Sequence, residues 1–121
     1  MITALVVDDV RSMVDSMCRM LLLLDVQAIP AYGSRSAITY LNDNTPSVVF
    51  MDLNMPGLGG MDVISYMQRE PRLAAVPVIV VTSDDQPQTA ERVKTLGACD
   101  LLVKPVQMDD LEAVLKKFNL T

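Results

Sequence analysis

The sequence predicts an α/β domain of the doubly wound (βα)5 type, a five-stranded parallel sheet covered by helices on both faces. Three observations predict it. Short apolar runs rich in β-branched residues alternate with stretches whose apolar residues recur at spacings of three and four. The two kinds of segment follow one another strictly along the chain, which implies parallel strands joined by helical crossovers. Four of the five strand-like runs end in polar or charged residues, namely Asp8-Asp9, Asp52, Thr82-Ser83 and Lys104.

Ile2 to Val7 reads as the first buried strand and stops at Asp8 and Asp9. Val10, Met13, Val14, Met17, Met20, Leu21 and Leu24 then mark a helical stripe. Val26 to Ala31 is a shorter extended candidate, and Pro30, which has no N–H to give a ladder, assigns it to a sheet edge. Gly33 and Ser34 predict a turn and a helix N-cap before the stripe of Ala37, Ile38 and Leu41. Ser47 to Met51 is the next buried strand and delivers Asp52. A loop rich in turn residues, with Pro56, Gly57, Gly59 and Gly60, leads to a helix marked by Met61, Val63, Ile64 and Met67. Pro77 to Val81 forms a fourth strand ending at Thr82. Ala90, Val93 and Leu96 mark a helix that Gly97 stops. Leu101 to Val103 is a short fifth strand ending at Lys104-Pro105, and Met108 to Phe118 is a closing amphipathic helix.

The 121 residues are one domain's worth, 1–121, with no repeat, linker or low-complexity segment. Half the residues are hydrophobic, which argues against disorder. The net charge of −5 and the absence of a basic cluster argue against a nucleic-acid-binding or anionic-membrane surface. No apolar stretch is long enough to span a bilayer, and no basic flank of a signal peptide precedes the first strand. Cys18 and Cys99 have neither metal-type spacing nor a disulfide pattern, and they read as buried small hydrophobes in a reducing compartment. With no histidine, the chain has no Ser-His-Asp triad, histidine metal site or phosphohistidine of its own. Gly57, Gly59 and Gly60 match neither a dinucleotide fingerprint nor a P-loop.

In a parallel sheet of this kind the functional crevice lies beyond the carboxyl ends of the strands. Three carboxylates converge there. Like charges about 4 Å apart repel by ~4 kcal/mol at an effective dielectric of about 20, so the cluster calls for a cation. Hard oxygen ligands of this sort suit Mg2+. Lys104 adds a fixed positive charge, and metal and lysine together make a clamp for the oxygens of a transferring phosphoryl group. Asp52, at the tip of the middle strand, is the natural nucleophile, and Thr82 has a hydroxyl to offer a phosphoryl oxygen. Each feature also has a bland reading. Asp8-Asp9 could cap a helix, Asp52 could open a turn, Thr82 could be a cap and Lys104 a surface lysine. Their joint placement at strand ends favours the functional reading.

These residues carry a resemblance. Leu5-Val-Val-Asp8-Asp9, Met51-Asp52-Leu53-Asn54-Met55-Pro56-Gly57 with Gly60, Val80-Val81-Thr82-Ser83, Gly97-Ala98 and Lys104-Pro105 occur in order over essentially the whole chain. The chain resembles the response-regulator receiver domain of two-component signalling, chemotaxis-regulator-like. The resemblance implies a flavodoxin-like fold with strand order 2-1-3-4-5 and a cytoplasmic phosphoprotein. It implies that Asp52 accepts a phosphoryl group from a partner's phosphohistidine, on a sensor histidine kinase or phosphotransfer protein, and that this alters binding of a downstream protein. Mg2+ would be held by Asp9, Asp52 and the backbone carbonyl of Asn54, with Asp8 acting through water. Lys104 would pair with the phosphoryl group, next to a cis Lys104-Pro105 bond. A homodimer through the last two helices is left open. The chain departs from the family at Leu101, where receivers usually carry Tyr or Phe as a rotamer switch, and a changed readout is expected. Asp84 should flank, with Asn54, the path of water to the phosphoryl group. Two rivals stand beside this reading: a receiver that binds its partner without phosphorylation, and an aspartyl-phosphate phosphohydrolase. The second usually needs an acid where this chain has Asn54.

Overall fold

Alternation along each strand sends successive side chains to opposite faces of the sheet, and here both faces are apolar. The computed structural model describes residues 1–55, 57 and 59–120. The chain runs β1 (Thr3–Val7), α1 (Arg11–Leu23), β2 (Gln27–Ala31), α2 (Ser34–Asp43), β3 (Val48–Asp52), α3 (Gly60–Arg69), β4 (Val78–Thr82), α4 (Pro87–Thr95), β5 (Asp100–Val103) and α5 (Met108–Lys117). All strand pairings are parallel, in the order β2-β1-β3-β4-β5. Pro30 lies on the edge strand β2, as its missing donor requires.

The pleat divides the core in two. Leu5, Val7, Val49, Met51, Val78 and Val80 face one layer, closed by Ala37 and Leu41 of α2, Val63, Ile64 and Met67 of α3, and Val93 of α4. Ala4, Val6, Val48, Phe50, Ile79 and Val81 face the other, closed by Val14, Met17 and Leu21 of α1 and by Leu111, Val114 and Leu115 of α5. Burying a side chain of this size stabilises by roughly 1.5–3 kcal/mol, so either layer alone would leave half the sheet's apolar surface in water.

Three helix ends share one backbone device. Gly97 stops α4 as expected, with φ of 111° and the N–H of Ala98 returning to the Val93 carbonyl. The same left-handed ending closes α1 at Asp25 (φ 62°) and α5 at Asn119 (φ 59°), with the N–H groups of Val26 and Leu120 returning to Leu21 and Leu115. That return bond takes Val26 out of β2, which starts one residue later than predicted. At α2 the N-cap is Gly33, φ 130°, with no side-chain cap bond, and Ser34 is the first helical residue, buried. Cys99 is exposed, not buried, because it lies in the short link between Gly97 and β5; Cys18 is half-buried against the α1–α5 layer. Pro56, singled out with the loop after Asp52, lies outside the described residues.

Candidate functional site

Each site residue sits where a strand has just run out of neighbours. Asp8 follows β1; its N–H bonds the Ala31 carbonyl at 3.2 Å and its Oδ1 accepts the N–H of Val10 at 3.0 Å. The second bond fixes the sharp turn into α1 and aims the carboxylate at the crevice. Asp9 is exposed, whereas Asp52, the last residue of β3, is 4% exposed. Thr82 ends β4 and is 1% exposed. Its Oγ1 accepts the N–H of Asp84 at 3.2 Å. Lys104 follows β5, with its N–H on the Thr82 carbonyl at 2.7 Å, and the Lys104-Pro105 bond is cis.

From there the lysine side chain reaches back across the sheet. Its Nζ donates to Asp8 Oδ2 at 3.1 Å and to Asp52 Oδ1 at 3.4 Å. Carboxylate oxygens of Asp8, Asp9 and Asp52 lie within 4.8 Å of one another. The predicted cluster therefore exists, with two buried members bridged by the ammonium and one open to solvent. Burial, then the charge of Asp8, pushes the Asp52 carboxyl above its ordinary range, against the opposing pull of Lys104. For Lys104 burial works to lower the pKa, but the hydrogen bonds and charges of Asp8 and Asp52 outweigh it and the net shift is upward. The ammonium is thus held charged beside Asp52, an acid that burial would rather neutralise.

Asn54, exposed, lies just past Asp52 in the loop. Gly60 secures that loop. A Cβ there would sit 2.2 Å from the Asp52 carbonyl oxygen, so only glycine lets the first turn of α3 lie against the end of β3. Beside the carboxylates opens a cleft of about 450 Å³ between this loop and α4, with Asn54, Thr82 and Asp84 on its walls. Asp84 accepts from the Gln86 N–H at 2.9 Å and the Thr89 hydroxyl at 2.6 Å, contacts that hold its carboxyl below the usual range. The sequence reading missed Thr89 and Arg92 as lining residues of this cleft. The spacing from Thr89, three to Arg92 and four to Val93, was the available signal. Leu101, in the position noted above, is half-buried and packs on the α2–α4 layer.

Such a site can hold a divalent cation on hard oxygen ligands and can neutralise an anion brought to Asp52. Comparison with known proteins identifies the family. Residues 4–116 match the family described as the response regulator receiver domain, and the chain belongs to that family. The protein PilH of Pseudomonas aeruginosa is 34% identical over 115 residues, 95% of this chain and 93% of that one. The phosphate regulon transcriptional regulatory protein PhoB of Escherichia coli is 29% identical over 112 residues, and the aligned part is 49% of its length. The fold closely matches the chemotaxis protein CheY4 of Vibrio cholerae, with a TM-score of 0.91 at 24% identity over 98% of both chains. It also matches a receiver-protein N-terminal domain of Methanoculleus marisnigri, with a TM-score of 0.77 at 27% identity over 94% of both. Among the described residues no helix is long and apolar enough to cross a membrane.

Proposed function

We propose that this receiver domain accepts a phosphoryl group on Asp52 from the phosphohistidine of a sensor kinase or phosphotransfer protein, and that the modified surface changes partner binding. The observation that carries the reading is the Lys104 ammonium bridging Asp8 and Asp52 at 3.1 and 3.4 Å, with Thr82 buried at the same carboxyl end of the sheet. The hard oxygen set and the solvent-open position of Asp9 fit Mg2+. Asp9, Asp52 and the Asn54 carbonyl would hold it, with Asp8 acting through water. When bound, the ion would neutralise charge on phosphoryl oxygens.

The chain's own residues account for the rest. A carboxylate oxygen of Asp52 attacks phosphorus, and the bond to the donor's leaving atom breaks as the new P–O bond forms. Lys104 exchanges part of its pairing with Asp52 for a phosphoryl oxygen and keeps Asp8. Thr82 gives its hydroxyl to another oxygen, already positioned by its bond to Asp84. The domain catalyses only its own phosphorylation and dephosphorylation, acting as a single unit, 1–121, in the cytoplasm. The phosphohydrolase reading is weaker, because Asn54 stands where the second acid would be needed.

Leu101 favours one variation. A half-buried aliphatic side chain has no ring to rotate and no hydroxyl to bury, so output would run through the backbone of β5 and α4. The test is intact mass spectrometry after incubation with acetyl phosphate and Mg2+. A gain of one phosphoryl group is expected, lost with Asp52→Asn and with chelator; no gain in the wild type, or a gain that survives Asp52→Asn, sinks the assignment. Partner affinity indifferent to Asp52→Asn would favour the phosphorylation-independent reading.

A further inference from the structure

The cleft beside Asp52 carries a charge pattern that the proposed chemistry does not use. Two acids line it, and both are committed to hydrogen bonds with near neighbours in the chain. Asp62 accepts the Gly59 N–H at 3.0 Å, and Asp84 accepts the Gln86 N–H and the Thr89 hydroxyl. Arg92 lines the same cleft from α4, one turn beyond Thr89. Among the described residues its one hydrogen-bond contact is with a sulfur, Nη2 donating to Met61 Sδ at 3.6 Å, and no carboxylate lies within ion-pair distance, although its charge reaches Asp84 and helps hold that carboxyl below its usual range. A thioether is a weak acceptor, so a forked cation with most of its donors unspent faces a cavity that opens beside the phosphoacceptor.

We infer that Arg92 is a specificity-determining residue for small phosphodonors. It receives the leaving carboxylate of an acyl phosphate lying in the cleft between Asn54 and α4. This rests on Asp52 being the phosphoacceptor. The cleft, at about 450 Å³, has ample room for a small acyl phosphate. Its walls include Asn54 and Thr82, so a donor whose phosphoryl group lies at Asp52 extends its acyl end toward α4. The step balances without a proton. The Asp52 oxygen bonds phosphorus, the bond from phosphorus to the acyl oxygen breaks, and the electron pair leaves on a carboxylate. A guanidinium pairs with that planar anion through two parallel N–H donors. A donor whose leaving group is an amine gains nothing from such a contact.

The experiment compares initial rates of phosphorylation by acetyl phosphate and by phosphoramidate, in Mg2+, for the wild type, Arg92→Gln and Arg92→Lys. Arg92→Gln should slow the acetyl phosphate reaction about five-fold, chiefly through a raised donor KM, since an exposed ion pair contributes an effect of this order. The phosphoramidate rate should stay within about two-fold of wild type. Arg92→Lys should recover part of the acetyl phosphate rate, keeping charge but not the fork. An equal loss with both donors, or no loss with acetyl phosphate, overturns the inference. If the wild type takes phosphoryl from neither donor, or if Asp52→Asn still takes it, the phosphoacceptor reading itself fails, a result distinct from failure of the Arg92 role.

Discussion

At Asp52 three physical effects meet in one side chain. Burial and Asp8 raise its pKa, and Lys104 opposes them. In the folded state the carboxyl therefore holds its proton more tightly than in the unfolded chain. The sign follows from linkage: this group is most favourable to folding below the ordinary carboxylate pKa of about 3.9, and its contribution falls as pH rises through the folded value. In metal-free buffer at pH 7, Asp52→Asn should raise the melting temperature by about 2–5 °C, and the gain should shrink as pH is lowered toward 4. A neutral or destabilising substitution at pH 7 would mean that the Lys104 pairing outweighs the repulsion. The convergence of these side chains was legible in the sequence, because acids and a lysine at strand ends meet whatever the loop details. Other residues were not. Nothing in the letters Asp25 and Asn119 announces a left-handed helix ending that glycine usually supplies, since short polar side chains are tolerated there without being required.

Elements show the same division. Strands were readable to within a residue or so, because their burial on both faces leaves a continuous apolar signature that stops at the crevice. Helix starts were less so: Ser34 looks like a cap, yet Gly33 takes the position in extended backbone with positive φ. The approach of α3 to β3 was invisible too, since a glycine among glycines gives no hint of which one is compressed. Gly60→Ala should test it. The added methyl has no flexible neighbour to push aside, only the Asp52 carbonyl and the Leu53 backbone. A loss of about 2–4 kcal/mol in urea unfolding is expected, together with slowed phosphorylation, because the displaced loop carries Asn54. Gly59, whose Cβ would meet nothing closer than 3.6 Å, is the matched control and should be far more tolerant of alanine.

For the molecule as a whole, a cation bound at the carboxylate cluster would couple occupancy to folding. An ion that binds the native state alone stabilises by RT ln(1 + [L]/Kd), about 2.7 kcal/mol at a hundred-fold excess over Kd. Mg2+ should therefore raise the melting temperature by several degrees. Asp9→Asn should remove most of that increment while changing the metal-free protein little, because Asp9 is exposed and takes no part in the Lys104 bridge. A metal increment that survives Asp9→Asn would put the ion elsewhere. The order β2-β1-β3-β4-β5 puts β1 inside the sheet and makes β5, the last strand of the chain, one of its edges.

Lys104 reaches Asp8 across 96 positions of sequence and Asp52 across 52. No contiguous fragment short of nearly the whole chain contains both the acids and their cation. A chain interrupted before β5 would carry the acids without the Lys104 counter-charge and leave β4, still paired with β3, as an open edge. During synthesis, then, the site proposed for phosphoryl transfer is assembled only once β5 and Lys104 have been made.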